Sequence, residues 1–283
     1  MITQELMQKS LCHYEHNNLV QFLNRRLGEG TMTRLMDNYQ IGTSKRWTGA
    51  NAFWYLDQHG HPIDARVTCY DAETGQQNDK SQSEWLSTLI GQQNPAVEKS
   101  VLFYGLHLLK RQPRSPIGLV EKEKTAIVCS HFLSQYVWLS ASSFEESFWK
   151  GNDMDYLIHR KVVLFPSLNS YCKMKKIAEV LITKGVMAVV SGYLEQHAEE
   201  QDRRQGMSIA DFLLRKVLLD QETRHLRHLS PFEQLEIMKA ENPFVQELID
   251  TFDLELVNTV EPLIRTECSR TEGACSESRT VSP

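Results

Sequence analysis

The feature that most constrains the fold is an alternation of short apolar runs with helix-like segments in the middle of the chain. The apolar runs are four or five residues long and lie at 117–120, 136–139, 162–165 and 186–190. The helix-like segments that follow them include 122–134, 170–184 and 209–219. Short buried strands that alternate with helices are joined by right-handed crossovers. The pattern therefore predicts an α/β fold with a mainly parallel sheet flanked by helices.

The first 113 residues have a different pattern, which predicts an α+β segment. Residues 17–28 carry an apolar stripe at helical spacing and predict a helix that ends at Gly28. A second short helix is expected to begin with Thr31 as its cap. Residues 52–57 and 63–70 are strand-like and are separated by a turn that contains glycine and proline, so they predict a β-hairpin.

Composition excludes several classes of protein. Hydrophobic residues make up 41% of the 283 residues and charged residues 24%, as in ordinary globular proteins. No uncharged apolar run approaches the roughly 18 residues of a membrane-spanning helix, and the N-terminus lacks the apolar core of an export signal. The six cysteines form no C-x-x-C pair, so neither a zinc ribbon nor a disulfide framework is indicated. We therefore expect a cytoplasmic protein without a membrane partner.

The net charge of -5 is unevenly distributed along the chain. Residues 218–257 contain nine acidic and three basic residues, whereas residues 1–217 contain 23 acidic and 25 basic residues. We expect an acidic helical appendage over 220–257, followed by a small, polar and disordered tail over 258–283. A nearly neutral body neither implies nucleic-acid binding nor opposes it.

Polar side chains follow two of the predicted strands, and another begins a later helix-like segment. Glu121 directly follows the first apolar run, where it is suited to act as a metal ligand or a general acid or base. Ser167 and Asn169 follow the third run, and Asp211 begins the helix-like segment 209–219. Because chemistry in such sheets gathers at the carboxyl ends of the strands, we expect Glu121 and Ser167 to lie at the same edge of the sheet. Each position also has a structural interpretation, because acidic residues suit the first turn of a helix and Ser or Asn caps it.

Four basic residues are candidate nucleic-acid contacts. Lys122 and Lys124 lie next to Glu121, within reach of a phosphate held at the strand end. Lys45 and Arg46 directly precede Trp47, and charge combined with an aromatic ring is typical of surfaces that bind single strands. A solvated surface without a specific partner is the alternative for all four.

Together the three polar segments resemble the toprim fold, the catalytic module of DnaG-type primases, topoisomerases and related nucleases. The segment 120–126 resembles the first motif, a Glu that follows the first strand. The segment 162–169 resembles the third-strand motif, with Ser167 and Asn169 where that family has two aspartates. The segment 209–214 resembles the late acidic motif.

The upstream half extends this resemblance. Residues 17–23, 41–44 and 53–70 resemble the segment that precedes toprim in primase-like proteins, and the likeness covers roughly residues 14–255. The whole chain is similar to a family of toprim, primase-like proteins carried by bacterial mobile elements. The resemblance implies a primase-like N-terminal segment over 1–113 and a toprim-like domain over 114–219. The acidic appendage over 220–257 and the tail over 258–283, expected from composition, would follow them.

The resemblance also implies a function. Carboxylates at the strand ends of that family hold Mg²⁺ or Mn²⁺ beside a phosphate. It implies Glu121 as the catalytic residue and Glu121, Asp211 and Asn169 as metal ligands, with catalysis impaired because Ser167 and Asn169 carry no charge. Expected partners are nucleic acid and proteins of replication or mobilisation. Two alternatives stay open: a non-catalytic protein- or DNA-binding module of a replication assembly, and an unrelated α/β protein that binds a small ligand at the strand ends.

Overall fold

The structure, a computed structural model, describes residues 2–77, 83–151, 154–227, 230–241 and 246. The chain divides by its internal contacts into two compact units, Met1–Gln221 and Glu222–Pro283. Within the described ranges, no helix combines the length and the apolar character needed to cross a membrane.

The first unit begins with three helices, α1 (Gln4–Ser10), α2 (Asn18–Leu27) and α3 (Glu29–Tyr39), and a 3-10 turn at Tyr14–His16. The predicted helix over 17–28 is confirmed: the Asn17 side chain accepts a hydrogen bond from Val20 N at 3.1 Å, and Gly28 ends α2. The prediction that Thr31 caps the next helix is wrong, because α3 already begins at Glu29. Gly28 has a φ of 82°, which redirects the chain between the two helices without a linker.

An antiparallel sheet of four strands follows, in the order β1-β2-β3-β4. Its strands are β1 (Ile41–Thr43), β2 (Asn51–Leu56), β3 (Pro62–Thr68) and β4 (Ser83–Trp85). The predicted hairpin is confirmed, since β2 pairs antiparallel with β3 and places Trp54 opposite Ala65. Every residue of β2 is buried, which explains why its sequence lacks the alternation of a half-exposed strand.

A second sheet of five strands has the order β5-β7-β6-β8-β9. Its strands are β5 (Phe103–Tyr104), β6 (Ile117–Val120), β7 (Val137–Ala141), β8 (Lys161–Leu164) and β9 (Met187–Val190). The last four pair in parallel, so the predicted mainly parallel sheet is confirmed, and β5 adds an antiparallel edge. β5 comes from the segment before residue 113 that the sequence assigns to the N-terminal part.

Helices connect and flank these strands. They are α4 (Leu86–Leu89), α5 (Pro95–Lys99), α6 (Glu123–Phe132), α7 (Glu146–Gly151), α8 (Tyr171–Thr183), α9 (Tyr193–His197), α10 (Glu200–Gln205) and α11 (Ile209–Arg227), with 3-10 turns at Leu106–Lys110 and Asp155–Leu157. The glycine inside β6 has a packing reason. A Cβ atom on Gly118 would lie 2.6 Å from the ring of Trp138 on β7, so only glycine lets the two strands pack at this point.

The two faces of the parallel sheet bury separate apolar clusters. Successive side chains of a strand point to opposite faces. Val120 accordingly packs with residues of α2, α3 and α6, whereas Leu119 packs with residues of α7 and α8. The sheet is thus covered on both sides, and its carboxyl edge is left for polar residues.

In the second unit the structure describes one further helix, α12 (Pro231–Glu241). Ser230 caps this helix, because Ser230 Oγ accepts from Glu233 N at 3.3 Å while Glu233 accepts from Ser230 N at 2.7 Å. Most of the remaining appendage predicted over 220–257, and the whole tail over 258–283, lies outside the described residues.

Candidate functional site

Glu121 lies at the carboxyl edge of the parallel sheet, directly after β6. The neighbouring strand β8 runs parallel to β6, with Leu119 opposite Leu164, and leads into the loop that carries Ser167. Ser167 N donates to Glu121 Oε2 at 3.2 Å, and the Ser167 hydroxyl donates to the same oxygen. The prediction that these two side chains share one edge of the sheet is confirmed.

Asn169 lies in the same loop, but its amide points toward α10. Its backbone is left-handed, with a φ of 78°. Asn169 Nδ2 donates to Arg203 O at 2.8 Å, and Leu168 N donates to Met207 O at 3.0 Å. These bonds fix the loop after β8 against the segment that leads into α11.

Asp211, in the first turn of α11, pairs with Lys124 from α6. Lys124 is 4% exposed, and its Nζ donates to Asp211 Oδ1 and to Gly75 O, both at 2.8 Å. Ser208 Oγ and N donate to the other carboxylate oxygen at 2.7 and 3.2 Å. Burial acts to raise the pKa of Asp211, but the charge and hydrogen bonds of Lys124 and Ser208 outweigh it and hold that pKa below its ordinary value.

The ion pair between Lys124 and Asp211 changes the interpretation of both residues, which the sequence presents as candidate site residues. Lys124 was expected to contact phosphate, yet its ammonium group has both of its partners inside the protein. Asp211 was expected to be a metal ligand, and its negative charge is compensated by that same ammonium group. Lys122, by contrast, is exposed beside Glu121.

The donor set does not fit a tightly held Mg²⁺ or Mn²⁺. Hard divalent ions are bound through several oxygen ligands, among which carboxylates supply the charge. Glu121 is joined by a hydroxyl from Ser167, and Asp211 is joined by a lysine. Across the ranges that the structure describes, no three His, Cys, Asp or Glu side chains converge on a common point.

Sequence reasoning missed a further acidic residue, Glu123. Glu123, in the first turn of α6, is 6% exposed, and Tyr55 of β2 donates its hydroxyl to Glu123 Oε1 at 2.5 Å. Burial, followed by the charge of Glu123, raises the pKa of Tyr55 well above its ordinary value. The Arg66 guanidinium lies 5.2 Å from the ring centroid of Trp85 and interacts electrostatically with Glu123. The 68 residues that separate Tyr55 from Glu123 explain why no local pattern reveals the pair.

The Tyr55–Glu123 hydrogen bond is expected to stabilise the fold. In Tyr55→Phe, the buried carboxylate loses its donor, and the free energy of unfolding should fall by about 1.5 kcal/mol. Urea denaturation of the full chain measures the change. Tyr193→Phe is the matched control, because Tyr193 is 43% exposed and its hydroxyl makes no hydrogen bond within the described ranges. Equal effects of the two substitutions would contradict the role of the hydrogen bond.

The Lys45–Trp47 segment lies beside a pocket in the N-terminal half. Lys45 and Arg46 are exposed, and the Arg46 guanidinium lies 5.8 Å from the ring centroid of Trp47. A pocket of 580 Å³ is lined by Lys45 and Trp47 together with His13 and His16. Neither Lys45 nor Arg46 makes an ion pair with any described residue, so both charges face solvent.

Comparisons with solved structures give likenesses at low sequence identity. The DnaG primase catalytic domain bound to ssDNA has a TM-score of 0.45 and 11% identity, covering 88% of this chain and 89% of that one. The RNA polymerase domain of Mycobacterium tuberculosis primase DnaG has a TM-score of 0.45 and 9% identity, covering 88% and 96%. The primase fragment of the bacteriophage T7 primase-helicase protein has a TM-score of 0.40 and 12% identity, covering 61% and 69%.

No curated protein matches the chain. One protein family does, and its match covers residues 17–168. This range contains α2, α3, both sheets except β9, Glu121 and Ser167. Because the match spans more than half of the 283 residues, the protein belongs to the family described as a domain of unknown function, DUF6371.

Proposed function

We propose that this protein is a toprim-like, primase-like protein that associates with nucleic acid during replication or mobilisation of a mobile element, and that its divalent-metal catalysis is impaired. The proposal includes a cytoplasmic location and partners among replication or mobilisation proteins. The observation that carries it is the contact between Ser167 and Glu121, in which a hydroxyl meets the strand-end carboxylate.

The chemistry of this contact explains why catalysis is impaired. A divalent ion that neutralises phosphate needs several anionic oxygens around it. Glu121 supplies one carboxylate, whereas Ser167 and Asn169 supply neutral groups. Asp211 is neutralised by Lys124 at 2.8 Å. Glu121 is therefore the proposed principal metal ligand, with Asn169 and Asp211 as weak additional ligands.

Nucleic acid is proposed to bind at the exposed basic residues. Lys45 and Arg46 provide two exposed charges that make no ion pair with a described residue. Trp47, whose ring centroid lies 5.8 Å from the Arg46 guanidinium, adds an aromatic ring at the same segment. Lys122 adds a third exposed charge beside Glu121. This arrangement favours a flexible single strand, whose bases are free to stack on an aromatic side chain.

Charge removal at this segment tests the proposal. The double variant Lys45→Gln/Arg46→Gln should bind single-stranded DNA more weakly and should lower the salt slope of log K by about 1.4, because each phosphate contact on a single strand contributes about 0.7. Fluorescence anisotropy with a labelled oligonucleotide, measured at several salt concentrations with and without Mn²⁺, gives both quantities. We expect wild-type affinity to depend little on Mn²⁺.

The control variant Arg114→Gln/Lys161→Gln removes the same charge from two exposed positions elsewhere. It should leave the salt slope unchanged. If the control weakens binding as much as the double variant, the Lys45–Trp47 segment is not the binding surface. If the wild type does not bind single-stranded DNA at low salt, the proposed association with nucleic acid is wrong.

A further inference from the structure

We infer that a second pocket, at the amino ends of the parallel strands and therefore opposite the Glu121 edge, binds the phosphate monoester group of a small molecule. The pocket has a volume of 390 Å³, within the range of small-ligand sites. Its polar lining comes chiefly from Arg34, Asn38, Arg111, Gln112, His131 and Tyr136. The inference is independent of the proposed function, because none of these residues belongs to the Glu121 edge or to the Lys45–Trp47 segment.

The charge of this pocket is positive and has no compensating acid. None of its lining residues is Asp or Glu. Arg34 and Arg111 are both exposed, and neither makes an ion pair with any residue that the structure describes. Arg34 Nη2 lies 3.5 Å from His131 Nδ1, so a third group that is able to carry positive charge faces the first arginine.

The C-terminal ends of two helices, α3 and α6, lie at this pocket, and the helix dipole at that end disfavours a bound anion. A helix C-terminus is equivalent to roughly half a negative charge, so α3 and α6 together contribute about one. Two guanidinium groups contribute two positive charges, which leaves a net positive field.

The arginines are also not needed to satisfy the terminal carbonyl groups of these helices. Asn38 O, in the last turn of α3, accepts from His107 Nε2 at 2.8 Å. Leu133 O, at the end of α6, accepts from the indole of Trp138 at 2.9 Å. Arg111 donates through Nη1 to the Asn38 side chain at 2.9 Å, which orients its guanidinium while leaving the other nitrogens free.

These features match a phosphate monoester better than other anions. Arginine presents a planar fork of donors that fits two phosphate oxygens at once. A dianionic monoester uses both arginines, whereas a carboxylate or a backbone phosphodiester carries a single charge. Burial and then Arg34 lower the pKa of His131, so His131 is neutral at pH 7 without an anion and becomes easier to protonate when one binds.

Inorganic phosphate is the first probe, and the His131 ring signal in NMR is the readout. At matched ionic strength, phosphate should move the midpoint of the His131 titration to higher pH by on the order of one pH unit relative to chloride. A 5′-mononucleotide should produce the same shift, whereas a single-stranded oligonucleotide without a terminal phosphate should not. His131→Gln identifies the signal among the ten histidines.

Substitutions connect the shift to the pocket. Arg34→Gln and Arg111→Gln should each weaken phosphate binding about tenfold, and Arg34→Lys should retain part of it. Arg114→Gln is the matched control, because Arg114 is exposed and lies outside the lining. A phosphate shift no larger than that of chloride, a shift that survives both Arg→Gln substitutions, or an equal shift from the oligonucleotide would each overturn the inference.

Discussion

Replacing Lys124 by methionine is expected to lower the free energy of unfolding by about 3 kcal/mol, because the substitution leaves Asp211 without its charge partner. Lys124 is 4% exposed and the Asp211 side chain is 22% exposed. The loss belongs at the lower end of the range for buried ion pairs, since water reaches part of the carboxylate. Chemical denaturation of the full chain at pH 7 measures it.

The effect should depend on pH in a defined direction. The pKa of Asp211 is lower in the folded protein than its ordinary value, because Lys124 and Ser208 outweigh burial. Its contribution to stability is therefore present above the unfolded pKa of about 3.9 and is lost as the pH falls through the folded value. The stability difference between wild type and Lys124→Met should accordingly shrink as the pH falls toward the folded-state pKa of Asp211 in wild type.

Two further variants distinguish a charge effect from a packing effect. Lys124→Met/Asp211→Leu removes both charges, and we expect it to recover much of the loss, because a buried pair can be replaced by apolar groups of similar volume. Lys122→Met is the control, since the neighbouring Lys122 is exposed, and it should cost less than about 0.5 kcal/mol. If Lys124→Met and Lys122→Met unfold at the same denaturant concentration, the ion pair does not stabilise the fold.

The parallel sheet and one edge of the candidate site could be predicted from the sequence. The spacing of apolar runs predicted β6 to β9, their parallel pairing, and the meeting of Glu121 with Ser167 at one edge. These features follow from local periodicity and from the general topology of alternating strands and helices.

The surroundings of α6 could not be predicted in this way. Seven consecutive residues, from Glu123 to Cys129, are buried, whereas a helix that covers a sheet ordinarily exposes its polar face. The covering groups come from far along the chain: Gly75 lies 49 residues before Lys124, and Tyr55 lies 68 residues before Glu123. A charged residue buried by such distant segments has the same local pattern as one in a solvated first turn.

The second large effect concerns Ser167→Asp, which we expect to increase the affinity for Mn²⁺ by about tenfold to a hundredfold. The substitution adds a carboxylate beside Glu121, where Ser167 N already lies 3.2 Å from Glu121 Oε2. One more carboxylate near a divalent ion in a partly desolvated crevice contributes on the order of 1–3 kcal/mol. Calorimetric titration with Mn²⁺ measures the change, and wild type should bind poorly.

When no metal ion is added, Ser167→Asp should lower the stability of the fold. Two carboxylates in contact repel each other, so Ser167→Asp should be less stable than wild type at neutral pH and should regain stability when Mn²⁺ binds between them. Thermal denaturation with and without Mn²⁺ detects this reversal. If the stability changed only because negative charge was added, the change would not depend on the distance to Glu121, and Mn²⁺ would not reverse it.

Two controls decide whether the added carboxylate and Glu121 share one ion. Adding Glu121→Gln to Ser167→Asp should cancel most of the gain, since groups that contact the same ion are not additive. Ser134→Asp makes the same chemical change at an exposed position before the amino end of β7, whereas Glu121 follows the carboxyl end of the neighbouring parallel strand β6, and it should not alter Mn²⁺ affinity. A gain that persists with Glu121→Gln, or that Ser134→Asp reproduces, would mean that Glu121 and the loop after β8 do not form a metal site. A gain confined to the variant that retains Glu121 would mean that one missing charge at Ser167 separates this crevice from a metal-binding one.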